Sequence, residues 1–283
     1  MKGISLTFAA EPFFLKTESG QRFCLFHKPH PGKECLGAII YIHPFGEEMN
    51  KSRRMAAMQA RTFAAMGFGV LQIDLFGCGD SSGEFSDARW DIWKQDVSFA
   101  RNWLENRVSA PISLWGLRLG ALLALDFARN QVEMIDRIIL WQPVINGESF
   151  LNQFLRLRMA NEMLGDLGAE KKTGTSTMRT RLASGETLEI GGYELSPDLA
   201  TAIDSLKAAE LVVRNRTIHW FEIVAEPGRS MPPAWAKVLG EWKRSGVDPH
   251  VHIVACSSFW ATQEISECPE LVSATATALT MAA

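Results

Sequence analysis

Short apolar runs alternate with stretches of helical period along most of the chain. Residues 37–42 (GAIIYI) form a β-branched run of strand length, too short for a helix. Residues 52–66 then place Met55, Met58, Phe63 and Met66 on one helical face, and Gly67 stops that helix. A second strand follows at 68–75 (FGVLQIDL), then a turn-rich loop, FGCGDSSGEF. Trp93, Val97, Ala100 and Leu104 recur at helical spacing. PISLWG (111–116) reads as a third strand and RIILWQPV (137–144) as a fourth. Between them LGALLALDFA (119–128) is apolar on nearly all sides, which predicts a buried helix. Repeated strand–helix–strand units imply parallel pairing, right-handed crossovers and a doubly wound sheet.

The rhythm breaks between about Ile145 and Ala209. ESFLNQFLRLRMANEMLG predicts a helix, KKTGTSTMRT a polar loop, TLEIGGYEL a hairpin around Gly191-Gly192, and LSPDLATAIDSL a helix with Pro197 at its start. The rhythm resumes with IHWFEIVA, a helix carrying Trp235, Val238, Leu239 and Trp242, the strand HVHIVAC, and a last helix from about Pro269. The expected organisation is one α/β core, 1–145 with 210–283, and a small lid at 146–209. Such a lid over the carboxyl ends of parallel strands covers a ligand site.

Composition narrows the classes. The chain has 283 residues, 47% hydrophobic and 22% charged, and a formal net charge of −3. That balance gives no electrostatic reason to expect a nucleic-acid partner. No apolar run reaches the roughly 20 residues that span a bilayer, and the N-terminus makes a poor signal peptide. The five cysteines (Cys24, Cys35, Cys78, Cys256, Cys268) are odd in number and contain no CxxC pair. The expectation is therefore no disulfide, no structural zinc and a cytoplasmic location. No metal or organic cofactor is implied.

The informative stretch is Gly116-Leu-Arg118-Leu-Gly120, where a strand runs directly into a helix. It resembles the G-x-S-x-G nucleophile elbow of the α/β-hydrolase superfamily. Residues 74–83 (DLFGCGDSSG) resemble the D-x-x-G-x-G-x-S loop of those proteins, and IHPFG (42–46) their oxyanion loop. The resemblance implies an α/β-hydrolase fold with a small inserted lid. The runs PFGEEMNKSRR, LWGLRLGALLA, LWQPVINGESFLNQFLRLRMA and FWATQEI further resemble exosortase A system-associated hydrolase type 2 proteins. That group is encoded beside PEP-CTERM sorting and exopolysaccharide genes. It implies a hydrolase label, an acyl or anionic small-molecule ligand and a pathway protein as partner, and no particular substrate.

The triad that the resemblance implies is missing. Its nucleophile position holds Arg118, a guanidinium that stays protonated and cannot attack a carbonyl. The acid station carries Glu226 and Arg229, and the base station Cys256, Ser257, Ser258 and Phe259, with no histidine. A cation opening a helix needs a carboxylate. Glu47 or Glu48 is the expected partner of Arg118, with Asp80 in reserve and Arg53 or Arg54 free to take the other glutamate. His43 is expected to be mainly structural, beneath the loop that Phe45 and Leu119 flank. Cys78 is the surviving nucleophile nearest the pocket mouth but lacks a base. Trp115 and Trp260 are candidate pocket walls beside the elbow and the vacated histidine station. Ser81, Ser82, Asp74 and Glu264 read as turn or cap formers, and His250-x-His252 as half a metal site with no third ligand nearby. Two functions stay open. One is acyl hydrolysis in which Glu48 activates water and Arg118 clamps developing charge. The other is non-catalytic binding of an anion or a pathway partner.

Overall fold

The computed structural model describes residues 9–131, 135–164 and 174–281. Its centre is an eight-stranded sheet. The strands are β1 (Glu11–Thr17), β2 (Gly20–His27), β3 (Gly37–Ile42), β4 (Phe68–Ile73), β5 (Ile112–Leu117) and β6 (Arg137–Trp141), then β9 (Thr217–Val224) and β10 (His250–Ala255). Their order across the sheet is β1-β2-β4-β3-β5-β6-β9-β10. From β4 to β10 every pairing is parallel, while β1 and β2 join antiparallel at one edge. Parallel strands buried on both faces read as unbroken apolar runs, and β3 and β5 are buried at every position. This is the α/β-hydrolase fold that the motif order predicts.

Helices cover both faces. On one side pack α2 (Trp90–Glu105) and α3 (Leu119–Arg129). On the other lie α1 (Glu47–Met66) and α8 (Pro269–Met281), against Trp115, Trp141 and Phe221. All ten residues from Leu119 to Ala128 are buried, so α3 is the central helix of its layer. Its position places the first turn under the end of β3. A Cβ on Gly120 would stand 2.3 Å from the Ile42 carbonyl oxygen and 2.5 Å from that of His43.

The 146–209 region contains α4 (Gly147–Leu164), α5 (Thr175–Ala183), the hairpin β7 (Leu188–Ile190) with β8 (Tyr193–Leu195), and α6 (Pro197–Asp204). Gly191 and Gly192 both have positive φ, as a two-residue hairpin turn requires. The polar tract expected as a loop is corrected: from Thr175 it is helical, and it buries Met178 and Leu182 one turn apart. Helix α7 (Pro233–Arg244) returns the chain to β10 and buries Val238 and Trp242.

The expectation of no disulfide is also corrected, because Cys256 and Cys268 are bonded to each other. Odd parity forbids complete pairing, not a single pair. Cys24 and Cys78 stay free and buried, and Cys35 free and exposed.

Candidate ligand site at the arginine elbow

Arg118 sits between the last residue of β5 and the first of α3, with φ 55° and ψ −117°. A side chain other than glycine adopts that conformation only where its surroundings enforce it, at a cost of about 1–3 kcal/mol. The surroundings here are tight. The Arg118 amide donates to the Trp141 carbonyl at 3.0 Å, and its carbonyl accepts from Val144 at 3.2 Å and Ala121 at 3.1 Å. The geometry of an elbow is thus retained around a side chain that cannot act as nucleophile.

The loop after β3 supplies the counter-charge. Glu48 lies in the first turn of α1, and its Oε1 accepts from Arg118 Nε at 3.3 Å. Burial raises the Glu48 pKa, and the Arg118 charge is the main influence pulling it back down. Glu48 Oε2 is buried with no hydrogen-bond partner. On the remaining side the Trp260 ring lies 5.4 Å from the guanidinium carbon, a cation–π contact. Nε is the only guanidinium nitrogen that these contacts use, so among the described residues both Nη atoms have no hydrogen-bond partner. Arg118 lines a cavity of about 730 Å³. The wall comes from the chain after β6 (Val144, Ile145, Asn146), the first turns of α4 (Phe150), residues 207–210, and α7 (Trp235, Val238). Lys207 and Lys237 add positive charge, and Glu210 and Glu241 negative.

The other expected site residues are distributed differently. Glu47 accepts from Asn50 at 3.0 Å and from the Tyr193 hydroxyl at 3.2 Å. Arg53 and Arg54 do not take it: Arg53 pairs with Asp74, and Arg54 with Glu267. Asp80 uses its amide on Asp74 at 3.2 Å and makes no ion pair with Arg118. His43 is buried, accepts from the Leu75 amide at Nε2 (3.1 Å) and so donates from Nδ1 to the Pro44 carbonyl at 2.7 Å. Burial lowers its pKa, which keeps this neutral tautomer. Cys78 is buried beside Phe45 and Leu119 around a small void, and burial raises its thiol pKa, so its thiolate is scarce. Trp115 is fully buried against Tyr41, Phe63 and Trp141, a packing role rather than a wall of the Arg118 cavity. Glu226 and Arg229 are exposed and face each other at 3.7 Å rather than the elbow. Ser81 and Ser82 accept from the amides of Phe23 and Gln21, tying this loop to β2. Ser257 bonds Ser266, and Ser258 and Glu264 are exposed.

Two features escape sequence reasoning. Glu222, buried in β9, accepts from Gln142 Nε2 at 3.0 Å and Trp220 Nε1 at 3.2 Å. Burial raises its pKa, opposed by those two bonds and by the Arg118 charge. Its signal was a lone acid inside an apolar strand. The second is His219, which faces His252 across 3.2 Å and stacks on His250 at 5.2 Å. A third imidazole stands beside the His250-x-His252 pair without completing a metal site. Among the described residues no group of three or more His, Cys, Asp or Glu is arranged to hold a metal. Burial, then His252 and His250, push the His219 pKa down to about 4. The unfolded chain therefore takes up a proton that the native state refuses. Stability is complete above the unfolded value of 6.5 and falls as pH drops from there towards about 4. The full loss is about 3 kcal/mol. Urea midpoints between pH 7 and pH 4 are expected to fall more steeply for wild type than for His219→Leu, and equal slopes would contradict this.

A family model for serine aminopeptidase, S33, matches residues 33–222. The match covers strands β3 to β6, the elbow and the 146–209 region. The chain belongs to this family. The human protein ABHD12B is 26% identical over 155 residues, 47% of this chain and 41% of that protein, so the shared part spans less than half of the relative. Est1E from Butyrivibrio proteoclasticus, with ferulic acid bound, superposes with TM-score 0.68 at 14% identity, covering 95% of this chain and 98% of that one. A thermostable carboxyl esterase from Bacillus coagulans, in complex with glycerol, gives TM-score 0.66 at 13% identity, covering 97% and 99%. A serine hydrolase without lid from Xanthomonas campestris gives 0.58 at 14%, covering 99% and 97%. These likenesses concern the fold. Among the described residues no helix is long and apolar enough to cross a membrane.

Proposed function

We propose that this family member is non-hydrolytic and holds an anionic small molecule against Arg118. One observation carries the reading: the elbow presents a guanidinium with two unspent nitrogens to a cavity of about 730 Å³. A guanidinium grips a carboxylate or phosphate through two parallel hydrogen bonds, in a geometry that a lysine does not offer. Glu48 and Trp260 hold it in place without lining the cavity. Val144, Ile145, Phe150 and Val238 offer apolar contact to the body of the ligand.

The hydrolytic alternative, an ester or thioester attacked by water on Glu48, has less support. Glu48 spends Oε1 on Arg118 and does not line the cavity. Among the described residues, none lining the cavity is a histidine that could serve as base. The narrower sequence likeness adds a setting to the proposal: a cytoplasmic protein serving an exosortase and exopolysaccharide system, with a protein of that system as its partner. That setting rests on the quoted motifs alone.

Calorimetric titration with ferulate, octanoate and phenyl phosphate tests the reading. At least one is expected to bind wild type, and Arg118→Met to bind it at least about tenfold more weakly, in line with the loss of a charge-assisted pair. Ester turnover by wild type that Glu48→Gln abolishes would replace binding by hydrolysis.

A further inference from the structure

We infer that Cys256 and Cys268 form a thiol–disulfide exchange site that sets the affinity of the Arg118 pocket. The inference rests on reading Arg118 as the ligand-gripping group. The disulfide joins residues 12 apart and closes the segment that replaces the histidine station of the fold. Cys256 continues the β10–β9 pairing, its amide donating to the Val224 carbonyl at 2.9 Å. The Cys268 amide reaches Met55 Sδ at 3.1 Å, on α1. Between them lie Phe259 and Trp260, both buried. Trp260 supplies the cation–π contact to Arg118, and Phe259 sets it edge-on at 5.0 Å while meeting Trp141 at 6.2 Å.

The other ties on this segment are weak. Ser257 meets Ser266 at 3.2 Å, Thr262 meets the Glu264 carbonyl at 2.7 Å, and Arg54 pairs with Glu267 at an exposed position. Exposed ion pairs and hydroxyl contacts contribute little. The covalent bond and the burial of Phe259 and Trp260 in the core therefore together fix where Trp260 stands. Its two sulfurs differ in access: Cys256 is half-buried and Cys268 fully buried.

The exchange is expected to begin at Cys256. A thiolate of an external dithiol attacks Cys256 Sγ, the Cys256–Cys268 bond breaks, and Cys268 leaves as a thiolate that takes a proton. The second thiol of the reductant then attacks the mixed disulfide, releasing Cys256 as a thiol and the reductant as its own disulfide. Two electrons and two protons pass to the protein. Cys24 and Cys78 do not compete, because burial pushes the thiol of Cys24 up to about 12 and that of Cys78 higher still. Once the ends are free, side-chain burial alone holds Trp260 over the guanidinium, and the pocket loses part of its preorganisation.

The test uses the full chain carrying Cys35→Ser, which removes the exposed thiol. Samples equilibrated with graded ratios of reduced and oxidised dithiothreitol are denatured, alkylated and weighed, and parallel samples are titrated with ferulate and followed by tryptophan fluorescence. Two alkylated thiols are expected after oxidation and four after reduction, since Cys35 is absent. Reduced protein and the Cys256→Ser/Cys268→Ser variant are expected to bind ferulate about fivefold more weakly than oxidised protein, as loss of a cation–π contact implies. Both should also show a fluorescence change that Trp260→Phe erases. Four alkylated thiols after oxidation, or no fluorescence difference between the two forms, overturns the inference. Should ferulate bind neither form, the Trp260 signal still decides the switch, and the failure falls on the ligand reading instead.

Discussion

Gly120→Ala is expected to cost the fold about 4 kcal/mol or more and to separate Arg118 from Glu48. Helix α3 starts against the chain that leaves β3, and the two backbones touch at Gly120 with no room for a side chain. The added methyl would lie 2.3 Å from the Ile42 carbonyl oxygen and 2.5 Å from that of His43. Neither oxygen belongs to a movable side chain, so the helix and the loop must part. Gly116, on the other flank of the elbow, has the same problem, since its Cβ would stand 2.5 Å from Ala121 Cα. Losses this large arise from a short list of causes, backbone overlap in a packed core among them. The loop that would move carries Glu48, so the 3.3 Å contact with Arg118 goes with it. Urea unfolding followed by circular dichroism measures the loss, and a change below about 1 kcal/mol would mean that the helix and loop are not so closely seated.

Arg22→Met is expected to cost about 3–5 kcal/mol, the usual penalty for leaving one member of a buried ion pair alone. Arg22 and Asp96 are both fully buried, with Nε and Oδ1 2.6 Å apart. Asp96 Oδ2 also accepts from the Phe76 amide at 2.7 Å, and the guanidinium stacks 4.7 Å from the Phe76 ring. The pair fastens the antiparallel β2 to α2. Burial pushes the Asp96 pKa up to about 6 even with Arg22 present. A carboxyl raised in the folded state binds its proton there more tightly than in the unfolded chain. Its contribution to stability is therefore complete in acid and is lost as pH rises through the folded value. Without Arg22 the value rises further, so the deficit of the variant should shrink from pH 8 to pH 5. Arg22→Met/Asp96→Leu should lose less than Arg22→Met alone, because no buried charge remains. A deficit independent of pH and equal in both variants would show that packing, not charge, is what Arg22 supplies.

The central part of the molecule was legible in the sequence. Strands β3 to β6 are largely buried on both faces and appear as short, mostly apolar runs, and the alternation with α1 to α3 determines their parallel order. The elbow was legible because its two glycines answer to backbone contacts and its turn joins a strand to a helix. The edge strands β1 and β2 were not recognised. β1 buries no residue fully and exposes Phe14, and in β2 the buried positions include the polar Arg22 and His27 alongside Cys24 and Phe26, so neither strand reads as a clean apolar alternation. Helix α5 was missed because it buries only two apolar side chains.

At the site, the charge logic at a helix start led to Glu47 or Glu48, and the structure puts Glu48 on Arg118. The assignment of Arg53 and Arg54 to Glu47 failed because Asp74 and Glu267 compete for them. The cavity walls were not legible, since Lys207, Trp235 and Lys237 come from segments distant in sequence that no local pattern connects to residue 118. The disulfide was excluded by a parity argument that applies to frameworks and not to a single pair. Glu222 stands out in the sequence as an acid within the apolar strand β9, but the acid station the resemblance implies lies just beyond it, at Glu226 and Arg229.

The elbow geometry persists, its nucleophile is replaced by a guanidinium, and the imidazoles are engaged elsewhere. On that basis the function we propose is binding rather than hydrolysis. The most direct measurement is labelling of the native chain with a fluorophosphonate probe, followed by peptide mapping. The expected result is no modified residue in wild type. A stoichiometric adduct on any serine lining the Arg118 cavity would establish a working nucleophile and contradict the account.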